Sequence, residues 1–337
     1  MKTLGSKHPG RVVSATVAAA ALLATAGCGG SDSADVAGAS GGTMSLNIYY
    51  TAVTADYLGL WIAQEQGIFA KHGLDVTLSE VEDASGVPAL LSGDMQIGAT
   101  APTSVLASEA AGSDLTMIAC TDPTLPFQFM ATADITDVQQ LAGKNVGVSS
   151  AGSGSDFATR VGLKAAGLDP SKVNILPLGS KSNRVAALTS GQIQGGVDNP
   201  PTSVGLQKQG LHVLFDLADL DIHAPNIVYA AQQTWLESNP QAAQAFADSL
   251  VEALQVQRTD QATSVKVLEK YFESDDQEAL NQAWEYFDKV LPEVPTIAPD
   301  LFDSLIDFNE ESIPGLADVD VASHVDNSFI EKATGKK

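Results

Sequence analysis

Apolar and polar positions follow two rhythms along this chain, and one gives way to the other repeatedly. Residues 46–50 predict a short strand. Tyr57, Leu58, Trp61 and Ile62 then fall on one face at helical spacing. Gly67 closes that helix, because glycine tolerates the left-handed cap conformation. Residues 74–81 predict a second strand, with Val76 and Leu78 alternating against Thr77 and Ser79. A short helix over 87–91, a strand over 95–99, a helix over 103–111 and a strand over 115–120 follow. Strands alternating with helices imply a parallel sheet covered on both faces.

The alternation then starts again. Strands are expected over 145–149, 173–178, 195–198 and 212–215, with helices over 156–166, 183–190 and 201–209. Two extended segments, 127–132 and 226–231, flank this second set. Two α/β units joined by two extended crossings make a hinged, two-lobed plan. The last third is helical. Asn239-Pro240 is a start signal, an N-cap followed by proline at the first helical position. Phe246, Leu250 and Leu254 recur every four residues beyond it. A second helix holds Val265, Leu268 and Phe272, a third holds Trp284 and Phe287, and these helices are expected to pack back on the first unit.

The N-terminus changes the picture. Lys2, Lys7 and Arg11 precede a short run of small apolar residues over 12–26, which ends at Cys28. That run is too short for a spanning helix, which needs about 20 apolar residues. It reads as an export signal. Thr25-Ala26-Gly27-Cys28 resembles the end of a bacterial lipoprotein signal, in which the cysteine takes a lipid, although Thr25 stands where that pattern usually has Leu. The expectation is a signal over 1–27, lipidation at Cys28, and a Gly/Ser-rich linker over 28–43 that cannot bury enough apolar surface to fold. The protein would then work outside the cytoplasm, anchored to the membrane.

The full chain has 337 residues and a net charge of −23. Removing residues 1–27 leaves 15 basic and 41 acidic residues, a net charge of −26. Such a field repels nucleic acid, so no nucleic-acid partner is expected. An anion site in this chain has to work locally, through backbone donors or one or two cations. Of the two cysteines, Cys28 and Cys120, the second lies in an apolar run and is expected as a buried strand residue. The five histidines show no metal-ligand spacing. No Walker loop, Gly-x-Ser-x-Gly or zincin motif is present. No metal and no cofactor are therefore expected.

Three stretches carry a family resemblance. The first runs from Tyr57-Leu58-Gly59-Leu60-Trp61 to Gly67-Ile68-Phe69, with Gly73-Leu74-Asp75-Val76 just after it. The second is Ala89-Leu90-Leu91-Ser92-Gly93-Asp94-Met95-Gln96-Ile97-Gly98. The third is Leu141-Ala142-Gly143-Lys144-Asn145-Val146-Gly147-Val148; a later stretch, Ala187-Leu188-Thr189-Ser190-Gly191-Gln192-Ile193-Gln194-Gly195, echoes the set. In this order they resemble the extracytoplasmic binding proteins of ABC importers for nitrate, aliphatic sulfonates and taurine, a group that includes binders of thiamin pyrimidine precursors. The resemblance implies a periplasmic-binding-protein fold: an α/β protein of two lobes joined by two extended hinge crossings. Lobe 1 would comprise 44–130 and 226–337, and lobe 2 would comprise 131–225.

In such sheets ligands sit beyond the carboxyl ends of the strands, where helix N-termini gather. Four strand-to-helix turns qualify. They offer Tyr50, Thr51 and Asp56; Thr100, Pro102 and Thr103; Ser149, Ser150, Gly152, Ser153, Gly154 and Ser155; and Asp198 with Asn199. The serine-glycine turn fits a cradle for a sulfonate or similar oxyanion; the alternative is a flexible turn with Ser155 as an N-cap. Asp198 either accepts a hydrogen bond from a ligand amine or caps a helix before Pro200-Pro201. Tyr50, Tyr57 and Trp61 are candidates for an aromatic wall, with Trp61 better suited to the core. Arg160, Arg184 and Lys181 lie near these turns; either arginine could pair with an anion, and solvent is the place expected for both.

The resemblance implies a function without bond breaking. A small organic solute, sulfonate- or taurine-like, is captured by hinge closure and delivered to ABC permease subunits by a monomeric, lipid-anchored protein. A thiamin-pyrimidine-like or other aromatic heterocycle is the alternative ligand. A ligand sensor and a pyrimidine-synthesising enzyme are more remote alternatives. The enzyme would need His and Cys near the site, and only His72 and Cys120 are at hand.

Overall fold

The computed structural model describes residues 43–336, apart from 221, 223, 311 and 312. The expected signal segment and Cys28 lie outside the described residues, as does all but the last residue of the linker. Ten strands form two five-stranded sheets. They are β1 (Met44–Tyr50), β2 (Leu74–Glu80), β3 (Ile97–Thr100), β4 (Leu115–Asp122), β5 (Gln128–Ala131), β6 (Asn145–Val148), β7 (Asn174–Pro177), β8 (Gly195–Asp198), β9 (His212–Asp216) and β10 (Ile227–Gln232). The first sheet runs β2-β1-β3-β10-β4 and the second β7-β6-β8-β5-β9.

Neither sheet is purely parallel, which corrects the expectation drawn from the alternation. β10 runs antiparallel between β3 and β4, with Tyr229 opposite Ala99 and Ala119. β5 runs antiparallel between β8 and β9, with Phe129 opposite Val197 and Phe215. The two extended segments expected as crossings are therefore strands, each placed inside a sheet. The crossings proper precede these strands: one links β4 to β5 and the other links β9 to β10. Asn226 donates its backbone N–H to Asp122 O at 2.7 Å near one end, and Leu217 donates to Phe127 O at 2.8 Å near the other. Paired backbone of this kind can bend as one ribbon while keeping its polar groups satisfied.

The helices follow the apolar spacing. Leu58–Glu65 buries Leu58, Leu60, Trp61 and Ile62. Gly67 follows at φ 67°, in the left-handed region the cap requires. The long Pro240–Thr259 helix starts at Asn239, but that side chain does not cap it. Its Nδ2 donates instead to Trp235 O at 3.0 Å. Helices Pro240–Thr259, Gln261–Phe272 and Gln277–Val290 pack on the first lobe. Trp61 stacks on Tyr271 with ring centroids 4.3 Å apart and meets Tyr50 and Phe272 edge-on. Burying each such side chain is worth roughly 1.5–3 kcal/mol.

The segment from 292 onward carries little periodicity, yet it is well packed. Phe302, Leu305 and Leu316 enter a core that also holds Phe129 and Phe157 of the second lobe. Cys120 N donates to Pro295 O at 2.9 Å, and Met117 bridges Val325. Among the described residues no helix is long and apolar enough to cross a membrane.

Candidate functional site

The carboxyl ends of β1 and β6 face each other across the crossings, and a cavity of about 60 Å3 lies between them. The first lobe supplies Thr51, Thr54, Asp56 and Tyr57. The second supplies Ser149, Gly154, Ser155, Lys181 and Arg184, and the crossings add Phe127 and Asn226. Of the residues singled out in the sequence, Thr51, Asp56, Tyr57, Ser149, Gly154 and Ser155 meet here, beside Lys181 and Arg184.

The cations come from one helix, Lys181–Thr189, capped by Ser180, whose side chain accepts from Asn183 N. Arg184 is 4% exposed rather than in solvent. Its stem lies over the sheet where β6 and β8 carry glycines. A Cβ on Gly147 would stand 3.2 Å from Arg184 Cγ, and one on Gly196 3.4 Å from Arg184 Cδ. The absence of side chains there makes room for a buried arginine. Its Nη1 donates to Ser149 Oγ at 2.8 Å, and its Nη2 lies 3.8 Å from Asp198 Oδ2. Lys181 Nζ lies 3.1 Å from Asp198 Oδ1 and donates across the cleft to Val53 O at 3.4 Å. Asp198 also accepts from Asn199 N at 2.9 Å, so both its oxygens are engaged within the protein. Lys181 and Arg184 thus face the Asp198 carboxylate, and Asp56 lines the same cavity.

Asp56 is the first lobe's counterpart. Its Oδ1 accepts from Asn226 Nδ2 at 2.7 Å, and its Oδ2 from Asn199 Nδ2 at 3.1 Å and from the Thr54 hydroxyl. Burial pushes its pKa up, opposed by the Thr54 hydrogen bond and the Lys181 charge. Asp122, 2% exposed at the end of β4, is pushed well up by burial and then by the charge of Asp56. The Thr51 and Tyr57 hydroxyls lie 2.7 Å apart.

The remaining sequence candidates fall elsewhere. Tyr50 packs behind Tyr57, with centroids 5.5 Å apart, and Trp61 belongs to the same core. Thr100 is buried, with no hydrogen-bond partner for its hydroxyl among the described residues. Pro102 opens the Pro102–Ala110 helix. Asp198 and Asn199 lie behind the cations. Thr103, Ser150, Gly152 and Ser153 line a separate groove. The N-cap of the Gly154–Ala165 helix is Ser153, not Ser155, and its side chain accepts from Asp156 N. Ser155 Oγ accepts from Ser149 N at 2.9 Å, which holds the turn in shape. Arg160 pairs with Asp156 at 2.7 Å.

Sequence reasoning named Lys181 and Arg184 near the turns but left both out of the site, expecting the arginine in solvent. The signal was there: Gly179-Ser180-Lys181 follows β7 and is a fifth strand-to-helix turn of the same kind. Asn226 and Phe127 were missed because they sit on the crossings rather than on such a turn. Cys120 is 1% exposed on β4, and burial pushes its thiol up. His72 lies 2.9 Å from Glu252 on the first lobe, away from the cavity. Among the described residues no group of three or more His, Cys, Asp or Glu could hold a metal ion.

The fold has solved relatives. The alkanesulfonate-binding protein of Xanthomonas axonopodis pv. citri, bound to MOPS, is 18% identical; 84% of this chain covers 98% of it at a TM-score of 0.72. The periplasmic aliphatic sulphonate binding protein of Escherichia coli is 19% identical, with 87% and 99% of the two chains covered and a TM-score of 0.67. A desulfurization enzyme is 16% identical, with 87% and 99% covered and a TM-score of 0.65. The periplasmic-binding-protein fold is thus shared by binding proteins and an enzyme. No curated protein sequence matches the chain. The NMT1/THI5-like family profile matches residues 54–263, most of both lobes, and the chain belongs to that family.

Proposed function

We propose that this chain is the extracytoplasmic solute-binding lipoprotein of an ABC importer, and that it captures a small sulfonate- or taurine-like solute by hinge closure. The observation that carries this reading is the cavity between the lobes, where Lys181 and Arg184 stand beside the Ser149 and Ser155 hydroxyls. Charge-assisted hydrogen bonds from such groups suit an oxyanion, and they are strongest away from water. Asp198 and Asp56 hold the cations in place. Thr51 and Tyr57 approach from the other lobe, so an anion bound there favours the closed state. The lobe built on the second sheet, β5 to β9, moves against the lobe built on the first sheet.

In this reading the partners are the permease subunits, and Cys28 carries the lipid anchor of a monomeric protein. A role in capture rather than catalysis is supported by the place of Cys120 and His72, neither of which lines the cavity. A pyrimidine-like heterocycle is the second ligand, favoured by the flanking Tyr57 and Phe127 rings.

A thermal-shift panel on the chain from Met44 onward tests the reading, with sulfonates, taurine, nitrate, carboxylates and pyrimidines as ligands. Sulfonates at a hundred times their Kd are expected to stabilise the fold by about 2.7 kcal/mol. A shift with pyrimidines alone would move the assignment to the heterocycle. No shift with any class would count against solute capture.

A further inference from the structure

The serine-glycine turn has two faces. Ser149, Gly154 and Ser155 meet the inner cavity, while Ser150, Gly152 and Ser153 look the other way. Thr103 Oγ1 donates across the lobes to Gly152 O at 2.8 Å. On this outer face lies a groove of about 650 Å3, which shares no lining residue with the inner cavity. Its volume falls within the roughly 300–1,000 Å3 of small-molecule sites.

Both lobes and the C-terminal segment build it. Ser104 and Ala107 come from the first lobe, Ser150 and Arg160 from the second, and Phe308 and Ile313 from the C-terminal segment. Arg160 donates its Nε to Asp156 Oδ1 at 2.7 Å. Asp156 in turn accepts from Gly152 N at 2.9 Å, so a nearly buried carboxylate orients the guanidinium. The two terminal nitrogens of Arg160 make no hydrogen bond among the described residues. One helical turn on, Lys164 Nζ lies 5.8 Å from the centroid of the Phe308 ring. That ring meets Phe157 edge-on at 5.7 Å, which fixes its plane. Arg160 thus lines the groove, and Lys164 stands over the Phe308 ring that also lines it, in a chain of net charge −23.

We propose that this groove is a second binding site, which takes an amphipathic organic anion. A sulfonate or carboxylate head sits at Arg160, near the Lys164 charge over the Phe308 ring. An alkyl or aryl tail lies against Phe308, Ile313 and Ala107. The inner cavity holds a compact head group and has no room for such a tail, so the two sites differ in the size of ligand they accept.

Isothermal titration of the whole chain with sodium octanesulfonate tests this, with methanesulfonate as the probe that lacks the tail. Octanesulfonate is expected to bind. Arg160→Gln is expected to weaken it at least tenfold and to leave methanesulfonate binding unchanged. Ser104→Trp, which fills the groove from the first lobe, is expected to abolish it. Lys164→Gln, at an exposed position, gives a smaller loss and serves if Arg160→Gln does not fold. No binding of octanesulfonate would overturn the proposal. So would equal affinity in the folded Ser104→Trp and Lys164→Gln variants, because the ligand would then lie elsewhere.

Discussion

The two lobes share one plan and carry different loads. Each is a set of codirectional strands with one antiparallel strand set into it. The first lobe is filled with large rings, Trp61, Tyr50, Tyr57, Tyr271 and Phe272, under a cover of long helices. The second has glycines at Gly147 and Gly196, and it uses the space to bury Arg184. The large stacked rings are concentrated in one lobe and the charge that would recognise a ligand in the other. The first lobe brings hydroxyls and Asp56 to meet that charge across the cleft.

The largest expected effect lies in the first lobe. Trp61→Ala removes a ring buried against Tyr50, Tyr271 and Phe272. A urea melt is expected to show a loss of about 3–5 kcal/mol. If the lobes unfold together, one transition moves; if they unfold apart, only the first lobe's does.

Next comes Arg184→Met, expected to cost about 3 kcal/mol in the same melt, because it leaves Asp198 with Lys181 as its only ionic partner. Ligand affinity falls as well, and this separates the variant from Trp61→Ala. Unchanged affinity in a folded Arg184→Met protein would break the contrast between the lobes.

Asp122→Asn acts in the opposite direction. Burial raises the Asp122 pKa, so the folded chain holds this proton more tightly than the unfolded chain does. The stability this gives is full below the ordinary carboxylate range and is lost as pH rises through the raised value. Asp122→Asn is therefore expected to raise the melting temperature at pH 7. The gap from the unchanged chain should shrink as pH falls toward 4. A constant gap would mean that Asp122 does not titrate in this window.

Lys208→Ala is the smallest change. It removes surface ion pairs to Asp276 and Glu278 that join the lobes away from the cavity. The melt is expected to be nearly unchanged at physiological salt, with a small loss appearing only at low ionic strength.

Much of this was legible in the sequence, for identifiable reasons. Strands and helices follow from the spacing of residues such as Val76 and Leu78, or Phe246 and Leu250. The placing of β5 and β10 inside the sheets was not legible, because an extended apolar run does not state its neighbours or direction. The packed segment beyond 292 lacks periodicity, and Phe302 and Leu305 gain their meaning only from the core they enter. At the site, Ser149, Gly154 and Ser155 could be found from turn chemistry. Arg184 could not: its burial depends on glycines on two strands that are distant from it in sequence. The serine-glycine turn was legible as a feature, but its division into two faces depends on the approach of Thr103 from the other lobe.

The measurement that bears most directly on the account is the affinity of the unchanged chain and of Lys181→Met for one sulfonate, by isothermal titration. Lys181 reaches both lobes, through Asp198 on one side and Val53 O on the other. The account predicts sulfonate binding by the unchanged chain and at least tenfold weaker binding by the variant, a difference of about 1.4 kcal/mol or more. Equal affinity in the two proteins, or no binding by either, would contradict a sulfonate site between the lobes.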